Sequence, residues 1–126
     1  MQVFDTAKDF EDKVNFVDEN NVFVGYDLGQ SCCEHAGYFV SDKKEDSLDG
    51  EEEETPHLGG YFFDVNYIEY CDDKEGDFDS GGMVAFRMTH ADKKDLFLHV
   101  FNCHNGYYSH GFEFKNGDEL IKEDNL

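Results

Sequence analysis

The chain is poor in cations, has no tryptophan and contains a single proline, Pro56. Ten Lys and Arg residues face 30 Asp and Glu residues, which gives a formal net charge of −20 at pH 7. Nucleic acid and anionic lipid both repel such a charge, so we expect direct binding to neither. No apolar run is long enough to span a membrane, and the first residues lack a signal-peptide pattern. These absences predict a cytoplasmic protein.

Metal-ligand spacing is also missing. The chain has four cysteines without a C-x-x-C pair, which argues against a zinc ribbon; they are Cys32, Cys33, Cys71 and Cys103. Adjacent cysteines cannot bridge each other without strain, and cytoplasmic thiols stay reduced. We therefore predict packed thiols, no metal and no cofactor. One alternative stays open, a composite metal site in which Cys32 or Cys33 joins His35, Cys103 and His104.

Two catalytic or ligand-binding patterns are only partly matched. The run Cys33-Glu34-His35 contains a thiol and an imidazole, but neighbours in a strand point to opposite faces and no orienting motif follows. The acidic turn 72–82 fails as a calcium loop. In a frame that starts at Asp73, Phe78 stands where glycine is needed and Val84 where glutamate is needed. The sequence predicts no enzyme activity.

The elements predicted in the first half are short. Residues 5–14 fit a helix capped by Thr6, because Phe10 and Val14 are four apart, although 12–17 also alternates like a strand. Residues 14–27 contain two apolar runs around a turn-forming stretch, which predicts a β-hairpin. The run 42–56 has one apolar side chain, Leu48, before Pro56, and predicts an acidic flexible loop.

The second half predicts antiparallel strands. Residues 60–71 are rich in aromatic and β-branched side chains and predict one strand. Segments 83–90, 95–103 and 107–114 predict a three-stranded meander, since Asn105-Gly106 is a strong hairpin signal. The tail, 116–126, predicts a turn with a short helix or a frayed end. With 126 residues the chain forms one domain of the α+β class: mostly antiparallel sheet, a C-terminal three-stranded meander and one or two short helices.

Charge is distributed unevenly along the chain. Residues 42–55 hold eight acidic residues and two lysines, and residues 64–79 hold seven and one. Residues 83–112 hold only two acidic residues against three cations, together with four of the six histidines. Within this near-neutral stretch His99 shares a strand face with Phe97 and Phe101, which predicts a packed, hydrogen-bonded imidazole. One surface of the domain should therefore be strongly acidic.

Two motifs carry a resemblance to a known group of proteins. Cys32-Cys33-Glu34 follows the first hairpin, and 105-NGYYS-109 lies near the end of the chain. In this order the two motifs resemble a family of small, uncharacterised, mostly bacteriophage proteins. The resemblance covers about two thirds of the chain and departs from the family in the acidic 42–55 stretch. It implies an antiparallel fold and a phage context, and no catalytic residue.

Charge and context together favour a DNA mimic, an inhibitor that occupies the nucleic-acid-binding site of a host defence nuclease, of the anti-restriction or anti-CRISPR type. Alternate carboxylates on one strand face lie about 6.6 Å apart, so acidic strands and loops could stand in for phosphates. The predicted partner-binding residues are Glu51, Glu52, Glu53, Glu54, Asp64, Glu69, Asp72, Asp73, Glu75, Asp77, Asp79, Tyr107 and Tyr108. Three alternatives stay open: an acidic interaction or toxin-immunity module that does not imitate DNA, a small-molecule or nucleotide binder built on the aromatic sheet face, and acidity that serves salt adaptation alone.

Overall fold

The computed structural model describes residues 1–8, 11–29, 35–48, 54–71, 81–103 and 109–126. Within these ranges the fold consists of two antiparallel β-sheets and contains no α-helix. The ten strands are β1 (Gln2–Lys8), β2 (Glu11–Val17), β3 (Val22–Asp27), β4 (His35–Ser41), β5 (Phe62–Phe63), β6 (Glu69–Tyr70), β7 (Gly82–Thr89), β8 (Leu96–Cys103), β9 (Gly111–Asn116) and β10 (Glu119–Asn125).

Sheet A has the strand order β1-β2-β3-β9-β10. Its central strands alternate between buried and less buried residues, as in Val22, Val24 and Tyr26 of β3 and Phe112 and Phe114 of β9. This alternation places one face in the core and leaves the other face to solvent. Sheet A therefore offers an open outer face.

Sheet B has the strand order β4-β8-β7-β5, and β6 pairs with the same edge of β7 as β5 does. Its central strands, β7 and β8, are almost continuously buried. Such runs are typical of strands that are covered on both faces. One face of sheet B packs on sheet A, and part of the other face forms a small second core.

Aromatic side chains join the two sheets. The ring of Phe86 in β7 packs edge-on against Phe112 and Phe114 of β9, with centroids 5.7 and 5.0 Å apart. The Tyr26 hydroxyl of sheet A donates a 2.6 Å hydrogen bond to the Phe101 carbonyl of sheet B. Because this hydroxyl is buried, the bond satisfies a polar group that would otherwise cost free energy. The result is a β-sandwich with one main core.

The second core lies on the outer face of sheet B. It is formed by Phe39, Met83 and Phe101, and the half-buried Leu48 packs against it. His99 belongs to the same face, since its ring stacks on Phe39 at 4.4 Å. The chain after β4 crosses this face. Hydrophobic side chains on both faces explain why β8 reads LFLHVF rather than as a simple alternation.

The helix predicted at 5–14 is wrong, and the tail forms the predicted turn but continues as a strand, not as a short helix or a frayed end. The segment predicted to be helical at 5–14 forms parts of β1 and β2, which pair from Gln2↔Val17 to Lys8↔Glu11. Val14 and Phe16 are fully buried in the main core, and this burial outweighs the weak capping and i, i+4 signals. At the other end of the chain, Gly117 has φ of 61° in a tight turn, and β10 then pairs with β9.

The C-terminal half is antiparallel as predicted, but its connections differ. Strands β7 and β8 pair with each other, and β9 pairs with β10, so successive strands do form hairpins. The predicted three-stranded meander is wrong in its third strand, because β9 pairs with β3 in sheet A. The predicted strand at 60–71 is two short strands. Between them, Asp64 forms a turn in which its carboxylate accepts a hydrogen bond from the Asn66 amide at 3.0 Å.

Candidate functional site

The structure describes three of the predicted partner-binding residues. Glu54 and Glu69 are exposed, and Asp64 is half-buried. The other ten lie outside the described ranges; they are Glu51, Glu52, Glu53, Asp72, Asp73, Glu75, Asp77, Asp79, Tyr107 and Tyr108. Of the three described residues, two are engaged with other side chains of the chain.

Asp64 has a structural role. Its carboxylate accepts a hydrogen bond from the Arg87 guanidinium, and its backbone amide donates to the Arg87 carbonyl at 2.9 Å. The guanidinium also lies 5.4 Å from the centroid of the Tyr67 ring, within the range of a cation–π contact. Because Asp64 is neutralised by its ion pair, it is a poor candidate for binding a basic partner.

Glu69 is exposed and partly engaged. Its carboxylate accepts a 3.0 Å hydrogen bond from the Tyr67 hydroxyl, and the Lys44 ammonium lies 3.9 Å away. Burial, followed by this hydrogen bond, raises the pKa of Tyr67 to about 12. Lys44 lies closer to Asp46, at 3.1 Å. Glu69 thus keeps an exposed charge beside a phenol that stays protonated.

A groove of about 500 Å³ opens on the outer face of sheet A. Gly25 of β3 and Gly111 of β9 are among its lining residues, and the Phe23 ring lies close to Gly25. The acidic residues that line this acidic groove are Asp27, Glu113, Glu123 and Asp124, and Lys13 is the one cation among the described residues that line it. A groove with this lining suits a cationic side chain of a partner.

Register explains why the carboxylates meet there. Glu113 and Glu123 are direct cross-strand partners on β9 and β10, an arrangement of like charges that normally destabilises a sheet. Lys115 lies 3.5 Å from Glu113 and offsets part of the repulsion. Across the sheet, Lys13 is the cross-strand partner of Asp27. The acidic groove therefore keeps an excess of negative charge despite two nearby lysines.

The acidic groove lies at one end of the sandwich, here called the groove end. There, His110 hydrogen-bonds to the Asp27 carbonyl through Nδ1 at 2.6 Å. Its backbone also exchanges two hydrogen bonds with Leu126, at 3.0 and 2.8 Å. The Asn102 side-chain amide donates to the Leu126 carbonyl at 3.0 Å, so the ends of the two sheets are joined.

The ends of three undescribed segments converge on the groove end. His35, which follows the CCE motif, is the cross-strand partner of Cys103, which precedes the NGYYS stretch. The amide of Cys71, the residue before the 72–80 stretch, donates to the Met83 carbonyl at 2.9 Å. The sequence alone could not reveal this convergence, because it depends on the pairing of distant strands.

A tyrosine of β6 connects sheet B to β10. The Tyr70 hydroxyl donates a hydrogen bond to the Asp124 carboxylate. This bond lowers the pKa of the Asp124 carboxyl, whereas burial and the same bond raise the pKa of Tyr70 to about 12. The end of β6 in sheet B and the end of β10 in sheet A are therefore held together.

The acids of β9 and β10 were missed by sequence reasoning. The tail 116–126 was predicted as a turn with a short helix or a frayed end, so Glu123 and Asp124 were not expected on a strand. Glu113 belongs to the predicted strand 107–114, but no strand was predicted beside it on that side. The signal that could have found them is Asn116-Gly117, a hairpin dipeptide of the same kind as Asn105-Gly106.

The cysteines and histidines give a partial picture of the open metal site. Cys71 and Cys103 are half-buried and pack against the second core. His35 and Cys103 are brought together, while Cys32, Cys33 and His104 lie outside the described ranges. Among the residues that the structure describes, no group of three or more potential ligands surrounds a metal position. The composite site thus stays an open alternative.

His99 is packed and hydrogen-bonded, as predicted. It is fully buried, and its Nε2 accepts a 2.9 Å hydrogen bond from the Glu45 amide. Burial lowers the pKa of His99 to about 4. The imidazole is therefore neutral at pH 7 and anchors the start of the acidic stretch to sheet B.

In the described parts of the chain, no helix is long and apolar enough to cross a membrane. In comparisons with known proteins, no protein family, no curated protein and no solved structure matches the chain. Function must therefore be inferred from the surface itself.

Proposed function

We propose that this protein binds the nucleic-acid-binding site of a basic protein by imitating the charge of DNA, and that the groove end makes the contact. The observation that carries the proposal is the acidic groove, which is lined by three acidic residues from β3, β9 and β10; they are Asp27, Glu113 and Glu123. An Arg or Lys side chain that normally contacts a phosphate fits such a site. The resemblance to bacteriophage proteins suggests a defence nuclease in the host cytoplasm as the target.

The excess of acids over cations supports the proposal. At least four of the ten cations lie within 4.0 Å of a carboxylate, namely Lys44, Arg87, Lys94 and Lys115. Each ion pair removes one positive and one negative charge from the surface. The net charge of −20 is therefore unchanged and is carried by the acids that exceed the cations in number. Long-range attraction to a basic surface then accelerates association.

A second function is favoured by the mixed charge of the groove. Lys13 lines the acidic groove and Lys115 lies beside it, whereas a DNA backbone presents negative charge alone. This pattern suits an acidic interaction or toxin-immunity module that recognises a particular protein without imitating DNA. The two functions differ in one respect: only a mimic competes with DNA.

Capture of the partner tests the proposal. The immobilised chain is incubated with bacterial lysate at about 50 mM salt and washed at about 500 mM, where charge attraction is screened over a few ångströms. We expect a basic, nucleic-acid-binding protein to be retained in the first condition and released in the second. The matched negative control carries Asp27→Asn, Glu113→Gln and Glu123→Gln. Equal retention by this groove-neutralised variant would contradict the proposed site.

A further inference from the structure

In the described part of the chain, β1 forms one edge of sheet A. Among the strands that the structure describes, β1 pairs only with β2, over all seven of its residues. In an antiparallel ladder, alternate N–H and C=O groups of an edge strand point away from its neighbour and can pair with another chain. The backbone of β1 therefore offers a row of hydrogen-bonding groups to an incoming strand.

Two adjacent apolar side chains on β1 are exposed. Val3 is 43% and Phe4 44% exposed, although large apolar residues are normally buried. Because neighbours in a strand point to opposite faces, the two side chains flank the edge from both sides. An added strand would cover one apolar residue on each of its faces.

A groove continues the apolar surface on the Val3 side. This edge groove of about 560 Å³ is lined by Met1, Val3 and residues 55–59, which include Pro56 and Leu58. The Met1 amine donates a 3.3 Å hydrogen bond to the Leu58 carbonyl and ties the two walls together. The edge groove can accept an aliphatic side chain from the strand that pairs with β1.

The opposite edge of sheet A has a different character. Strand β10 carries Glu119, Glu123 and Asp124, and its exposed Leu120 stands among these charges. Charged side chains on an edge strand protect it from pairing with other chains. The contrast between β10 and β1 makes β1 the edge suited to strand addition.

Charge decides what can occupy the β1 edge. A second copy of a chain with net charge −20 is repelled. Asp5 lies on β1 beside the two apolar residues, and the exposed Glu54 adjoins the edge groove. A cation opposite Asp5 forms a favourable cross-strand pair. The occupant is therefore an extended segment with apolar residues opposite Val3 and Phe4 and a Lys or Arg opposite Asp5.

We propose that β1 receives such a segment of the basic partner as an additional antiparallel strand of sheet A. This inference takes one premise from the proposed function, namely that the partner is basic. It assigns β1 a second contact, distinct from the acidic groove. Main-chain hydrogen bonds supply affinity in this binding mode, and alternate side chains supply specificity.

A synthetic peptide tests the inference directly. The probe is the capped peptide Thr-Thr-Lys-Phe-Val-Thr-Lys, which in antiparallel pairing places Lys, Phe and Val opposite Asp5, Phe4 and Val3. Titration is followed by ¹H–¹⁵N NMR of the full chain. We expect saturable shifts that are largest for amides of residues 2–8 and 55–59. A peptide with Pro in place of Phe, which lacks one backbone donor and resists the ladder, should bind at least about tenfold more weakly.

Variants distinguish strand addition from general attraction. Val3→Lys should weaken peptide binding by about tenfold or more, whereas Leu120→Lys, an equally exposed position on the other edge, should leave it unchanged. The inference is overturned if the amide shifts are centred on Asp27 and Glu123. It is also overturned if the peptide does not bind saturably, or if it binds the Val3→Lys variant as tightly as the parent. A dimer of the free chain that Val3→Lys dissociates would overturn it as well, because a second copy would then occupy the edge. The first outcome would leave the proposed function standing, and capture of the partner by the groove end tests that function separately.

Discussion

Asp18 shows how one buried acid holds the sandwich together. Its carboxylate accepts hydrogen bonds from the amides of Asn20, Val22 and Phe63, each at 2.9 Å. The first two close the turn between β2 and β3, and the third reaches β5 in sheet B. Thus a residue that the sequence indicates only as turn-forming joins the two sheets.

Removing this carboxylate should destabilise the fold. Asp18→Ala leaves buried amides without an acceptor, which costs on the order of 3 kcal/mol of unfolding free energy. Urea unfolding at pH 7 measures the change. The neighbouring exposed variant Glu19→Ala is the control and should stay within about 0.5 kcal/mol of the parent. Equal stability of the two variants would show that the Asp18 hydrogen bonds contribute little.

His99 makes stability depend on pH. Its pKa is lowered to about 4 by burial, while the unfolded chain has the ordinary value of 6.5. The unfolded state therefore binds the proton first as pH falls, so stability is complete above 6.5 and is lost between 6.5 and 4. We therefore expect His99 to lower the free energy of unfolding by about 2 kcal/mol when the pH falls from 7.5 to 5.

The measurement compares unfolding free energies at pH 7.5 and 5. His99→Gln should remove most of the pH-dependent loss, whatever its effect at pH 7.5, because Gln does not titrate. The exposed His57→Gln is the control and should keep the loss. The pKa values of Asp42 and Asp124 are lowered from 3.8, so their contributions fall below this window. If the His99→Gln variant lost as much unfolding free energy between pH 7.5 and 5 as the parent, His99 would not be the source of the pH dependence.

At the scale of the element, the outer face of sheet B behaves as a second core. Phe101 is fully buried there, whereas Phe97 on the same strand face is only half-buried and meets the Tyr67 ring edge-on at 5.6 Å. The two phenylalanines look equivalent in sequence. They differ in burial because of their positions along β8. The chain after β4 packs over the part of the face that holds Phe101, whereas Phe97 lies near the beginning of the strand.

Truncation should reveal this difference. Phe101→Ala should cost about 4 kcal/mol, typical of a buried phenylalanine, and Phe97→Ala should cost less than half as much. Chemical denaturation of the two variants at neutral pH provides the values. A similar cost for both would mean that the whole strand face is equally packed and that the second core extends to Phe97.

Sequence reasoning succeeded where local pattern and burial agree. The β2–β3 hairpin was predictable, because the apolar runs around Val14 and Val24 flank a turn-forming stretch. The β7–β8 pair was predictable for the same reason. The sheet that receives β9 was not, since the alternation of Phe112 and Phe114 fits either sheet and only long-range pairing with β3 decides it. The acidic groove was missed for this reason and because the tail was not predicted to form β10.

At the scale of the whole molecule, two ends of the sandwich differ in what they offer. The groove end carries the acidic groove. It also carries the described residues that adjoin the CCE motif, the 72–80 stretch and the NGYYS stretch, namely His35, Cys71 and Cys103. The opposite end carries short turns, whose exposed acids include Glu19, Asp92 and Asp118. This arrangement supplies a matched control, the opposite-end variant, which carries Glu19→Gln, Asp92→Asn and Asp118→Asn. It loses three negative charges, as many as the groove-neutralised variant, but from the other end of the sandwich.

The central claim is that the groove end occupies a DNA-binding site, and competition with DNA tests it most directly. The captured partner is bound to a fluorescent duplex, and displacement is followed by anisotropy as the chain is added. We predict that the parent and the opposite-end variant displace the duplex at similar concentrations, and that the groove-neutralised variant requires at least about tenfold more. Equal displacement by both triple variants, or binding of the partner that leaves the duplex in place, would contradict the account.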